Sequence, residues 1–224
     1  MTTDAGEQAP AAAAEVFGPN LAQACRYVDL LADAGVRRGL IGPREAGRLW
    51  DRHVLNCAVI GELIRPGVAV IDVGSGAGLP GVPLALARPD LSMTLLEPMA
   101  RRVAFLHEVI DELGLQNVTV VRGRAEDTAV RRSLRGTAVV TARAVAGLDR
   151  LLGWCLPLMA PAGELLAIKG ESAQAELDEA RSALRVAGVA RATVELCGVG
   201  VLVNPTTVIR VVSGPGGGRR RGIG

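Results

Sequence analysis

An apolar, β-branched run that closes on an acid and then breaks into glycines constrains this chain more than any other stretch: VAVIDVGSGAGLPGVP, Val68 to Pro83. Val68, Val70, Ile71 and Val73 read as a strand buried on both faces. Gly74, Gly76 and Gly78 let the backbone after it approach a ligand where any Cβ would clash. Residues 82–88 then read as a helix, which leaves the glycine loop at a helix N-terminus with free N–H groups. Strand, glycine loop and helix in this order suit a nucleotide-bearing cofactor.

The G-x-G-x-x-G spacing is met by Gly76, Gly78 and Gly81, with Gly74 as a further glycine in front. By itself that pattern is weak, and a glycine turn beside two solvated acids is its plain alternative. The acids decide the reading. A dinucleotide site wants a pyrophosphate at the helix N-terminus, whereas Asp72, directly before the glycines, suits a cofactor with a cationic amino-acid moiety. Glu97 closes the next β-like run, residues 93–96, where a carboxylate can accept from both ribose hydroxyls. The combination points to S-adenosyl-L-methionine.

From Val68 onward strands and helices alternate, which predicts a mostly parallel sheet with helices on both faces. Strands are expected at 92–97, 118–121, 137–142, 164–168, 192–197 and 206–212, and helices at 99–114, 147–159 and 172–187. Pro161 and Gly163 mark a turn. The loop around Asn204-Pro205 is too short for a helical crossover, so the last two strands are read as antiparallel. Seven strands in an open sheet place ligands outside the strands' carboxyl ends. Gly74, Glu97, Glu126, Arg143 and Lys169 should therefore share one crevice. Ahead of this unit, residues 1–14 read as a flexible leader, and helical patterns from Asn20 to Gly35 and from Pro43 to Ile64 form a cap. The division is thus 1–65 for leader and cap, 66–213 for the cofactor-binding domain and 214–224 for a glycine- and arginine-rich tail, expected to be mobile.

A chain of 224 residues, 49% of them hydrophobic, has enough apolar material for one such domain with an extension. No apolar run approaches the roughly 18 residues of a membrane span, and the N-terminus lacks a basic export signal. Cys25, Cys57, Cys155 and Cys197 are too scattered for a zinc site or a disulfide framework, so no metal, reduced thiols and a cytoplasmic location are expected. No long exposed apolar stripe remains once the helices are assigned, so the protein is expected to be a monomer. A net charge of +2 demands no nucleic acid, yet 25 cationic residues leave room for a local basic face. All of those cations but Lys169 are arginines, which singles that lysine out as a position needing a compact ammonium. At 2% aromatic, the chain cannot build a base-stacking platform, so any RNA recognition must rest on charge and shape.

Four segments carry a family likeness: D-V-G-S-G-A-G-L-P-G at 72–81, R-H-V-L-N-C at 52–57, A-R-A-V-A at 142–146 and A-I-K-G at 167–170. Together they resemble the GidB (RsmG) family over about residues 20–212. The resemblance implies a class I, Rossmann-like methyltransferase that uses S-adenosyl-L-methionine to methylate N7 of a guanosine in 16S ribosomal RNA, with the small ribosomal subunit as partner. It also implies a target near the decoding site, because loss of the family's activity is associated with low-level streptomycin resistance. Carried over by position, it implies cofactor contacts at Gly74, Leu79, Glu97, Ala125, Glu126 and Arg143, beside Asp72, Gly76 and Gly78 of the glycine loop. Many members have Asp-Ser where this chain has Asn56-Cys57, and an aromatic-Asn-Leu-Thr segment where it has Arg38-Gly39-Leu40-Ile41. Both departures fall in the cap.

Guanine N7 carries a lone pair and no proton, so it needs no general base, and the enzyme's task is alignment and exclusion of water. Arg143 and Lys169 are the residues expected to hold the reacting RNA through O6 or phosphate, joined by Arg52 and His53 from the cap. Plainer roles stand beside these: an ion pair for Arg143, a packing hydrogen bond for His53. The competing functions are a class I methyltransferase with a protein or small-molecule acceptor, a nicotinamide-dependent oxidoreductase and a non-catalytic RNA-binding module.

Overall fold

The computed structural model describes residues 7–215. The cap contains α1 (Ala11–Phe17), α2 (Leu21–Leu30, carried on by a π-helical turn over Leu31–Gly35) and a helical stretch at 43–63 whose regular part is α3 (Leu55–Ala58). The remainder runs β1 (Ala69–Val73), α4 (Gly81–Ala87), β2 (Ser92–Glu97), α5 (Ala100–Leu113), β3 (Val118–Arg122), α6 (Thr128–Leu134) and β4 (Thr137–Arg143). It continues with α7 (Leu148–Cys155), β5 (Met159–Lys169), α8 (Ala173–Glu179), α9 (Arg181–Val186), β6 (Val189–Cys197) and β7 (Thr206–Ser213). The sheet order is β3-β2-β1-β4-β5-β7-β6, with the first five strands parallel and β7 antiparallel to both neighbours.

Strand periodicity sorts the side chains between two cores. Val70, Met93, Leu95, Val139, Leu166 and Ile168 pack under the cap, α4 and α5, while Ile71, Val73, Leu96, Val140, Ala142, Leu165 and Ala167 pack against α7, α8 and α9. Burial on both faces explains why the parallel strands read as continuous apolar runs. The parity also assigns the strand-end charges. Arg143 is in phase with Val139 and points to the cap side; Lys169 is in phase with Leu165 and Ala167 and points to the other.

Three local expectations are corrected. Residues 7–14 are not a loose leader: Ala13 and Phe17 are buried, and Phe17 meets Trp50 edge-on with ring centroids 6.2 Å apart. The Glu7 carboxylate fixes this arrangement, accepting from the backbone N–H groups of Leu49 and Trp50 at 2.6 and 3.2 Å. The helix expected at 172–187 is broken at Ala180 into α8 and α9, and the turn at 161–163 is absorbed into β5, where Ala162 takes φ +56°. Helix α6 went unread because seven residues with one buried side chain, Val130, give too short a pattern. The tail from 216, with Arg219–Arg221, and residues 1–6 lie outside the described residues.

Candidate functional site

The carboxyl ends of β1 to β4 surround a cavity of about 270 Å³. Its lining includes Gly74, Glu97, Ala125 and Glu126 from the strand ends, Ala144 and Val145 from the segment after β4, and Met99, Arg102 and Trp154 from the helix side. Gly74 has φ +73°, and a Cβ there would lie 3.0 Å from Val145 Cγ2, so any other residue would strain the backbone and push Val145 outward. Ala144 is held at φ +53°, an uncommon conformation for a residue with a Cβ.

Glu97 is 1% exposed. Its Oε2 accepts from the Gly76 N–H at 3.0 Å and its Oε1 from the Met99 N–H at 2.9 Å, so one carboxylate ties the glycine loop to the start of α5. A carboxylate has about four acceptor sites, and the two left over can take a vicinal diol. Arg102 stands with Nη1 3.7 Å from Glu97 Oε2, and its Nε is buried with no hydrogen-bond partner. An orphaned donor, spare acceptor capacity and apolar walls from Leu96, Val145 and Trp154 fit a nucleoside-bearing cofactor with polar and apolar parts. The Ala125 carbonyl is occupied by Arg131 Nε at 3.0 Å, which fixes the loop after β3 beside the cavity.

Asp72 is elsewhere. Fully buried on the cap side, it accepts from the Gly81 N–H and the Thr141 hydroxyl, both at 3.1 Å, and burial pushes it up to about 6. It shapes the turn into α4, and it is not among the residues that line the cavity. Gly76, Gly78 and Leu79 also lie outside the lining. Gly78 instead admits the cap: a Cβ would meet Val82 at 2.7 Å and the Tyr27 hydroxyl at 3.0 Å, and that hydroxyl donates to the Ala77 carbonyl at 2.9 Å.

The two expected RNA-holding cations do not converge. Arg143 turns into the cap, where Nη2 donates to the Arg52 carbonyl at 2.9 Å and to His53 Nδ1 at 2.6 Å, and Nη1 to Cys57 Sγ at 3.0 Å. Because a guanidinium can only donate, His53 carries its proton on Nε2, which donates to Glu45 at 2.9 Å. Burial, then the Arg143 charge, holds His53 below the ordinary imidazole range. Arg52 is exposed and 3.3 Å from Glu45. Lys169 lies on the opposite face, where Nζ donates to the Ala146 carbonyl at 3.0 Å and to Glu176 at 2.7 Å. Both of these partners belong to the protein, and the side chain is 14% exposed. Arg102, Val145 and Trp154 are not legible as cavity residues in the sequence, where Arg102 reads as one of a pair of solvated or phosphate-binding arginines, because helix rotation and loop path put them there.

A family model described as rRNA small subunit methyltransferase G matches residues 20–202. A ribosomal RNA small subunit methyltransferase G of Mycolicibacterium gilvum is 58% identical over 200 residues, covering 89% of this chain and 88% of the relative. The Streptomyces coelicolor protein of the same name is 57% identical over 212 residues, covering 94% and 88%. Among solved structures, a SAM-dependent O-methyltransferase from Thermotoga maritima superposes with a TM-score of 0.54 at 14% identity, covering 84% of this chain and 71% of that one. That last likeness concerns the fold, which is the class I methyltransferase fold.

Proposed function

The chain belongs to the GidB family, the rRNA small subunit methyltransferases G, and from that premise we propose that it methylates N7 of one guanosine in 16S ribosomal RNA with S-adenosyl-L-methionine. The observation that carries the cofactor assignment is Glu97: a buried carboxylate, fixed by two backbone N–H groups, with acceptor capacity left at a cavity on the strands' carboxyl ends. S-adenosyl-L-methionine supplies there a methyl group on a positively charged sulfur.

The chain's own contribution is placement. Glu97 would accept from the ribose hydroxyls, Gly74 and Val145 form a close wall, and Ala125, Glu126 and Arg102 would hold the base. Trp154 and Leu96 give the cavity apolar walls that would limit water beside the bound cofactor, and with it the competing nucleophile. Guanine N7 needs no general base, and none is assigned. A cation aimed at N7 would compete with methyl transfer; Arg143 turns its Nη1 and Nη2 donors into the cap and Lys169 donates to Ala146 and Glu176, so neither is aimed at N7. Arg52 and the face around His53 and Arg143 carry the RNA. Residues 66–213 form the cofactor-binding unit, and the enzyme acts as a cytoplasmic monomer. Among the described residues no helix is long and apolar enough to cross a membrane, and no cluster of three metal-ligating side chains occurs.

The test incubates the purified protein with methyl-labelled S-adenosyl-L-methionine and small ribosomal subunits from a strain lacking the gene, then maps label by cleavage specific to N7-methylguanosine. One labelled guanosine is expected. Label absent from subunits and from precursor particles, in protein that binds the cofactor, would move the acceptor outside the ribosome.

A further inference from the structure

Ala144 and Val145, at the start of the segment after β4, form one wall of the cavity, and α7 behind them carries Trp154 to the same cavity. Two polar groups of this stretch, the Ala146 carbonyl and the Leu148 N–H, are claimed by one ion pair on the neighbouring strand and helix. Lys169, the last residue of β5, donates from Nζ to Ala146 O at 3.0 Å and to Glu176 Oε1 at 2.7 Å. The same Glu176 oxygen accepts from Leu148 N at 2.7 Å. Leu148 opens α7, and its N-cap, Gly147, has no side chain to offer. Glu176 therefore supplies, from α8, the acceptor and negative charge that a helix N-terminus favours.

The geometry fixes the direction of the effect. With Ala146 and Leu148 pinned by the end of β5 and by α8, on the face of the sheet that α7 covers, Val145 is held against Gly74, where a Cβ on the glycine would lie 3.0 Å from it. Ala144, before it, holds φ +53°, a conformation that persists only when its surroundings over-determine it. The pair is shielded, with side-chain exposures of 14% and 24%, so it is screened less than a surface ion pair. Lys169 touches neither the cavity nor open solvent in a way that would meet RNA.

We propose that Lys169 and Glu176 are positioning residues: together they clamp residues 144–148 so that Val145 stays against Gly74 and the cavity keeps the shape that binds the cofactor. The proposal rests on the reading of that cavity as the S-adenosyl-L-methionine site, and it gives the lone lysine a role in cofactor affinity and none in RNA contact.

The test compares wild type with Lys169→Met, Val145→Ala and the double variant, well below their unfolding midpoints. S-adenosyl-L-methionine affinity is measured by titration calorimetry, small-subunit binding is measured without cofactor, and amide exchange of residues 144–148 is followed in ligand-free protein. Lys169→Met is expected to weaken cofactor binding about tenfold, to speed exchange at 144–148 about tenfold, and to leave subunit binding unchanged. The double variant should bind no more weakly than the worse single variant within about twofold, because both changes release the same wall. Unchanged cofactor affinity and exchange in folded Lys169→Met would overturn the clamp, as would fully additive losses. Intact affinity with lost subunit binding would return the lysine to the RNA. Should Lys169→Met fail to fold, Glu176→Gln keeps the acceptor oxygen while discharging the pair, and it must still weaken cofactor binding about threefold; a wild-type affinity there contradicts the proposal. If wild type itself binds no S-adenosyl-L-methionine, the functional reading fails, and the exchange rates still judge the clamp.

Discussion

At the β1–β2 half of the sheet's carboxyl edge two acids, Asp72 and Glu97, are held by backbone N–H groups; at the β4–β5 half two cations, Arg143 and Lys169, are held by backbone carbonyls. Each half uses charge to fix loops that have no regular hydrogen-bond ladder of their own. They differ in what is left over. Glu97 keeps acceptor capacity beside a cavity, whereas the hydrogen-bond partners of Arg143 and Lys169 all lie within the protein and neither residue lines the cavity. A charged residue at a strand end thus keeps capacity for a ligand at Glu97 and serves as a brace at Asp72, Arg143 and Lys169, and the count of occupied donors and acceptors tells them apart.

The sharpest way to break the comparison is at the glycine loop that the acids hold. Gly78→Ala introduces a Cβ 2.7 Å from Val82 Cγ2 at φ +102°, combining overpacking with a strained backbone. It should cost about 4 kcal/mol, read from the shift in urea midpoint, with cofactor binding lost in whatever protein folds. A change of under 1 kcal/mol would mean the loop is not the rigid element described.

Asp72 gives the next largest effect, through pH. Burial raises it to about 6, above the value near 4 of an unfolded aspartate, so the folded protein binds the extra proton between those values. Its contribution to stability is fully present below about pH 4 and is lost as pH rises through about 6, up to roughly 3 kcal/mol in all. Subtracting the stability profile of Asp72→Asn from that of wild type should show this falling difference. A flat difference would place Asp72 in contact with solvent or a cation.

Arg143→Ala tests the other half. It leaves His53 Nδ1 and the Arg52 carbonyl without their donor, at a cost of about 2 kcal/mol. Cofactor affinity should change less than threefold, while the KM for small subunits should rise about tenfold as the cap loosens. The reverse split, affinity lost and KM kept, would turn Arg143 back toward the cofactor.

The strand–glycine–helix unit, Glu97 at the second strand end and the antiparallel close of the sheet were readable because each depends on local composition or a short loop. Helix α1 was not readable as ordered structure, since Glu7, just ahead of it, and Phe17, at its end, meet their partners Leu49 and Trp50 only in three dimensions. The opposite facing of Arg143 and Lys169 depends on strand register, which pairs Ala142 with Ala167 and Arg143 with Ile168. Period-two counting within each strand gives half of that answer; the register between separate segments is set by packing. Asp72 illustrates the same limit. An acid before a glycine loop reads as a ligand contact, but its phase with Val70 carries it under α4, where the Gly81 N–H takes it.

The measurement that tests the central claim most directly is titration calorimetry of S-adenosyl-L-methionine into wild type and Glu97→Gln. The amide keeps the side chain's size but replaces one acceptor oxygen by a donor facing an N–H group, so cofactor affinity should fall at least about tenfold while the protein stays folded. Affinity within twofold of wild type would show that the cofactor does not seat at Glu97, and the assignment of the cavity would be wrong.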